Sequence, residues 1–299
     1  MAVTQPLVSV VTTSYNQGRY LEETIRSVRA QDYPRVEHLV IDDGSSDDSP
    51  DILRAHTGEL TWWDVQENRG QVPALNRAFS HARGEILGFV NADDTLLPGA
   101  LTRIVREYER DPDVLLVYGD MLYTDERSGV VGRVRGRAWD PARSARTGEQ
   151  FAPQPTAFWS RRAWELAGPF NESAWSLFDE EFFLRIACAG RVVRVPEALA
   201  TFRLHAASKS MSQHERMAAE CLRFASDFWG GSAPRPLKRY SRSGRATYLR
   251  RAALNLVAAG DVPRARRLFV SSLLLSPRGI TRQQAARLGP TLVPRWTRS

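Results

Sequence analysis

Two neighbouring carboxylates, Asp93 and Asp94, follow directly on the apolar run EILGFV in the stretch FVNADDTLLPG. Side by side they repel, so a bound cation would account for the pair. A solvated turn would account for it too, as would Asp94 or Thr95 capping the helix entered near Pro98. Three more polar clusters stand in the same relation to an apolar run. They are Thr13-Ser14-Tyr15-Asn16, Asp42-Asp43-Gly44-Ser45-Ser46-Asp47 and Glu67-Asn68-Arg69-Gly70-Gln71. Each has a plain structural reading by itself: DDGSSD is turn chemistry, Ser46 or Asp47 could cap the next helix, and Tyr15 suits a half-buried packing position. Their shared placement argues for one site. An acidic rim cannot hold a diphosphate unaided, so such a ligand needs a divalent cation beside the carboxylates. Hard oxygen ligands suit Mg2+ or Mn2+.

Rival sites fail on residue type. TTSYNQG has one glycine where a dinucleotide turn has three, and no GxxxxGK[ST] phosphate loop occurs. No aspartate ends the first apolar run, which removes an aspartyl-nucleophile phosphatase.

The elements that must position these clusters alternate over the first 120 residues. β-rich runs at 7–13, 36–42, 59–66, 85–90 and 113–120 are separated by amphipathic patterns, the first from about Arg19 to Ala30. This order predicts an α/β fold with a mostly parallel, buried sheet and right-handed crossovers. Ligands of such sheets bind beyond the carboxyl ends of the strands, where all four clusters fall. After Gly119 the pattern changes to a hairpin over 121–136 around DERSG and a Pro- and Arg-rich connection. A helix over about 179–189 follows, then a strand pair through RVVRV and ALATFRLH, and a helical remainder. The linker-like GGSAPRPLKRYSRSG marks a boundary. The expected division is a catalytic domain over 1–212 and a basic helical extension over 213–299. Within that extension GDVPRARRLFVSSLLLSP resembles half of a tetratricopeptide repeat, at Gly260, Asp261, Ala265, Phe269, Leu273, Leu275 and Pro277. A single copy cannot make a solenoid, so a helical hairpin is expected.

The 299 residues are 42% hydrophobic and 25% charged, as in a soluble globular protein. No apolar run approaches the roughly 18 residues of a membrane helix. Cys188 and Cys221 form no CxxC pair and read as reduced thiols. These features predict a cytoplasmic protein. The formal charge of +7 is unevenly spread: Pro234–Ser299 holds 15 Lys+Arg and one acid, giving +14, so the rest carries −7. Such a tail points to an anionic partner, and peripheral contact with the inner face of a membrane is the favoured reading. No nucleic acid is expected, because the arginines are interleaved with aliphatics on helices and match no nucleic-acid fold.

The segments VSVVTTSYNQGRYLEETIRSVRAQDYPRVEHLVIDDGSSDDS, ENRGQVPALNRAF, GEILGFVNADDTLLPGAL, QPTAFWSRRAWELAGPFNES and FDEEFFLRIACAGRVVRVPEALATFRLHAASKS resemble inverting GT-A glycosyltransferases of family 2. The likeness covers residues 7 to 210 in order. It implies the GT-A nucleotide-diphospho-sugar transferase fold and transfer from a nucleotide-diphosphate sugar, a UDP-sugar in the commonest case. The acceptor would be a hydroxyl on a glycan or lipid-linked molecule in cell-envelope synthesis. By position, Thr13 and Tyr15 would contact the nucleotide, Asp43 its base, and Gly70 the same ligand. Asp93 would hold the Mn2+ or Mg2+ ion under the diphosphate. Asn91 departs from the family's usual first acid and would contact ribose or sugar, with Asp94 supporting the loop or the donor. Asp179 matches the general base, although Phe178 replaces the usual preceding Glu and Glu181 is the fallback. His205 resembles a histidine used near the metal, and Arg203 and Lys209 could neutralise phosphate. A catalytically idle, nucleotide-sugar-binding scaffold acting through its tail stays open as the alternative.

Overall fold

The computed structural model describes residues 5–205, 213–280 and 282–289. They fall into two compact units. One is drawn from Met1–Ala138 and Ala152–Leu204, the other from Trp139–Phe151 and His205–Ser299.

In the first unit, β1 (Val8–Ser14), β2 (Val36–Asp42), β3 (Trp62–Val65) and β4 (Ile86–Phe89) pair in parallel in the order β3-β2-β1-β4. Every residue of β1 and β4 is buried, so both faces of the sheet need cover. On one face, Leu21 and Ile25 of α1 (Gly18–Arg29) and Leu53 of α2 (Ser49–Ala55) pack with Val40. Leu101, Ile104 and Val105 of α4 (Ala100–Arg110) pack with Val8, Val10 and Ile86. An aromatic cluster gathers Phe79 of α3 (Gln71–His81), Phe89, Trp164 of α6 (Arg161–Ala167) and Phe182 of α7 (Phe178–Ala189) around the fully buried Trp159.

The sheet continues through β7 (Phe158–Ser160), antiparallel to both β4 and β5 (Val114–Thr124), and ends at β6 (Val130–Val134). β5 and β6 make the hairpin around DERSG. The strand pair expected through RVVRV and ALATFRLH is instead one strand, β8 (Arg191–Arg203), parallel to β5. Pro196 reads as a break because it cannot donate to a ladder. Its strand tolerates it where the β5–β8 register shifts, between Tyr118 and Asp120.

The second unit includes Trp139–Phe151, the stretch that reads as a mere connection. Asp140 caps α5 (Pro141–Thr147) by accepting from the Ala142 and Arg143 amides, and Thr247 Oγ1 donates to the Ala145 and Arg146 carbonyls. Helices Ser241–Ala258 and Val262–Leu275 form the expected hairpin, turned at Gly260 (φ 88°). GGSAPRPLKRYSRSG is no boundary: it runs within this unit, with Ala233 and Leu237 buried and Gly244 against the Trp229 ring.

One buried titratable group makes a pH prediction. His38 of β2 sits 3.0 Å from Thr12 Oγ1, and burial lowers its pKa to about 3. The unfolded chain therefore binds a proton below pH 6.5 that the folded chain refuses. Stability contributed by neutral His38 is full above that value and falls as pH drops, by about 2 kcal/mol at pH 5. The buried Asp94, whose pKa is raised, works in the opposite direction. His38→Asn isolates the histidine: the difference in unfolding free energy between wild type and variant should shrink by that amount from pH 7 to pH 5. A constant difference would exclude the histidine as the source.

Candidate active site

The four parallel strands end on one edge, and each polar cluster is fixed there by hydrogen bonds to its neighbours. Asn16 takes a left-handed conformation (φ 53°), donates its amide to Ser45 Oγ (2.8 Å), and accepts from the Ser46 amide through Oδ1 (2.8 Å). Asp42 accepts from the Ser45 amide and hydroxyl. Asp47 accepts from the first amides of two helices, Gly18 of α1 (2.9 Å) and Ser49 of α2 (3.0 Å). Despite the opposing effect of burial, those bonds hold its pKa below the ordinary carboxylate value. Asp42 and Asp47 are thus structural.

Asp43 is buried. Its carboxylate accepts from Gln66 Nε2 (2.7 Å) and from the amides of Arg69 (2.9 Å) and Gly70 (2.8 Å). It therefore shapes the loop that enters α3, and Gly70 spends its amide on that carboxylate. Gly44 is required between the two clusters: φ is +80° and a Cβ would stand 2.8 Å from the Asn68 amide. Thr13 is buried at the end of β1, and Tyr15 is half exposed beyond it.

The acidic loop is held from two sides. Thr24 of α1 donates to the carbonyls of Ala92 (2.8 Å) and Asp94 (2.7 Å). Arg203, 1% exposed at the end of β8, donates its amide to Asp94 Oδ1 (3.0 Å) and Nε to the Asp93 carbonyl (3.0 Å). Its remaining nitrogens reach the Asp125 carbonyl, Ser128 Oγ and Glu23, and its guanidinium lies 4.6 Å from the Tyr20 ring centroid. Arg203 is consequently a clamp beneath the loop rather than a phosphate ligand, because every guanidinium nitrogen bonds within the fold and one face lies on Tyr20. Lys209 lies outside the described residues.

Within the loop Asp94 is buried and Asp93 half-buried. Burial first, and the Asp93 charge second, raise the Asp94 pKa well above the carboxylate range. Asn91 bridges outward: Oδ1 accepts from Gln71 Nε2 (2.8 Å), while Nδ2 donates to Asp94 Oδ2 (3.1 Å) and Gln154 Oε1 (3.2 Å).

α7 begins beside this loop. The Phe178 ring stacks on Phe89, the last residue of β4, at 6.0 Å between centroids, so Asp179 follows a residue anchored two positions before Asn91. Asp179, Glu180 and Glu181 occupy the first turn, where the helix dipole favours negative charge. Asp179 is half-buried, whereas Glu181 is buried and accepts from Asn171 Nδ2. His205 is buried and belongs to the second unit.

Residues 9–164, more than half of the chain, match Glycosyl transferase family 2. The chain belongs to that family. A glycosyltransferase of Mycobacterium tuberculosis is 30% identical over 199 residues, covering 66% of this chain and 75% of the relative. Chondroitin synthase of Escherichia coli is 27% identical over 187 residues, 62% of this chain and 27% of that protein. Among solved structures, the mannosyltransferase PcManGT of Pyrobaculum calidifontis, in complex with GDP-Man and Mn2+, superposes with a TM-score of 0.60 at 23% identity. It covers 97% of this chain and 85% of PcManGT, and supports the GT-A fold alone.

In this family 2 glycosyltransferase, no cluster of three His, Cys, Asp or Glu occurs among the described residues. The half-buried Asp93 carboxylate, beside the buried Asp94, fits a cation shared with a diphosphate, since such ions commonly take one or two carboxylates and complete their shell with phosphate and water.

The transferase also holds its acidic loop through Thr24 and Gln154, which sequence reading passes over, and through Gln71, which it names only as a member of a polar cluster, while it misreads Arg203. Asn91 carried a signal of its own, as a departure from the family's acid, and the network explains it. A carboxylate at 91 could not donate to Asp94 or Gln154, and would set a like charge against a buried carboxylate. Asn91→Asp, which restores the family-typical residue, should therefore lower melting temperature and donor affinity. Unchanged melting and tighter donor binding would refute the role assigned to the amide.

Proposed function

We propose that this glycosyltransferase moves a sugar, with inversion, from a nucleotide-diphosphate sugar to an acceptor hydroxyl on a glycan or lipid-linked molecule of the cell envelope. A UDP-sugar is the proposed donor, and a divalent cation held through Asp93 accompanies it. The observation that carries the reading is the stack of Phe178 on Phe89, which brings the half-buried Asp179 towards the acid-bearing strand end.

In this reading Thr13 and Tyr15 border the nucleotide, and Asp43 fixes the loop that receives the base. When bound, the cation supplies Lewis-acid stabilisation of charge on the leaving diphosphate. Asp179 accepts the proton of the attacking hydroxyl through its carboxylate as the new glycosidic bond forms and the bond to the diphosphate breaks. A single displacement needs no enzyme nucleophile. The likeness to a polysaccharide synthase favours an envelope glycan as product.

Incubation with UDP- and GDP-sugars, with and without Mn2+, tests the activity through release of nucleoside diphosphate. The anomeric configuration of the product, read by NMR, tests inversion. Retention of configuration, or no metal-stimulated release from any donor, would overturn the proposal.

A further inference from the structure

We propose that the outer ridge of the helix Val262–Leu275 is a contact face for an anionic lipid bilayer. The helix turns Ala265, Phe269 and Ser272 inward, where all three are buried. Its opposite side carries Arg267, Val270 and Leu274, which fall within about 60° of one another around the helix axis at 3.6 residues per turn. The two aliphatic members, Val270 and Leu274, are 40% and 79% exposed, Leu274 being the most exposed of the large hydrophobic side chains described. Arg264, Arg266 and Arg267 are also exposed, as is Arg278 just past the helix end. No acid lies on the helix, and Asp261 before it is occupied in capping the Arg264 amide.

An aliphatic pair bordered by guanidinium groups suits the boundary of a bilayer. The side chains of Val270 and Leu274 reach the acyl region, while arginine stems lie along it and their heads meet lipid phosphates. No described helix is long and apolar enough to cross a membrane, so this one lies along the surface. Charge selects the occupant. Pro234–Ser299 carries 15 basic residues and one acid, so a second copy of this tail would be repelled and an anionic surface attracted. The surface stands apart from the transfer reaction and does not depend on it.

The test is flotation of the full chain with phosphatidylcholine vesicles, with and without phosphatidylglycerol, at low and high salt. Wild type should float with the anionic vesicles at low salt and be released by salt. Val270→Glu/Leu274→Glu should cut partitioning by about tenfold or more through loss of buried aliphatic groups. Arg266→Gln/Arg267→Gln should weaken it by a similar factor, as each charge acts at the surface. Val130→Ser/Val131→Ser serves as control, since Val130 and Val131 are 62% and 59% exposed on β6, in the other unit, and should float as wild type does. Melting temperatures of all variants would exclude unfolding. The proposal fails if Val270→Glu/Leu274→Glu floats like wild type, or if neutral vesicles bind equally at low salt. It fails equally if light scattering shows a lipid-independent dimer that the ridge variant converts to monomer.

Discussion

Asp179→Asn should abolish transfer while leaving the donor bound. Removing a positioned general base costs on the order of 10²- to 10⁴-fold in turnover. The amide keeps the size and the hydrogen-bonding reach of the carboxylate but cannot take a proton. It also gives up a charge in the first turn of α7, worth about 0.3–1 kcal/mol at a helix N-terminus and too small to unfold the domain. Donor affinity, measured by calorimetry with Mn2+ present, should stay within about twofold, because the loss is confined to an interaction made in the transition state. Glu181→Gln is the internal comparison. Glu181 is buried and receives Asn171 Nδ2, so neutralising it should lower melting temperature more than turnover. Near-full turnover for Asp179→Asn, combined with a dead Glu181→Gln, would move the base two residues along the helix.

The parallel half of the sheet is readable in the sequence because each of its strands is an apolar run closed by turn residues, and parallel pairing then forces the four clusters onto one edge. β8 is less readable. A strand that carries Pro196 through a register shift looks like two strands until its neighbour β5 is known. Arg203 shows the same limit in side-chain form. In sequence it is a cation near a histidine and a lysine, which suggests phosphate. Its actual partners lie on α1, on the Asp93 loop and in the turn around Ser128, and only the tertiary fold brings them to one guanidinium. The amide chain from Gln71 through Asn91 to Gln154 is equally non-local, spanning residues 20 and 63 positions apart. Asp47 is the opposite case: its turn chemistry suggests a helix-terminal role, and its carboxylate accepts from the first amides of two helices. Local chemistry is legible where a residue bonds its own loop, and illegible where a polar side chain is satisfied across the fold.

Asp93→Ala should remove the metal dependence of donor binding and leave the fold standing. The loop's backbone is held independently of that side chain, by Thr24 on the Ala92 and Asp94 carbonyls and by Arg203 on the Asp93 carbonyl. Melting temperature should therefore change little, since relief of the Asp93–Asp94 repulsion offsets the lost side chain. Donor affinity should fall by about a hundredfold, in line with the several kcal/mol a metal contributes at a diphosphate, and should no longer respond to added Mn2+. Asp94→Ala is expected to behave the other way round. Its carboxylate is buried and receives the Arg203 amide and the Asn91 side chain, so removal strands two donors at about 1–3 kcal/mol each. That variant should melt early and lose activity in proportion to the folded fraction. The two neighbouring acids are then separable by experiment: a Mn2+ titration of donor binding reports Asp93, and thermal unfolding reports Asp94. If Asp93→Ala still binds donor in a manganese-dependent way, the cation is held elsewhere and Asp93 must be reassigned.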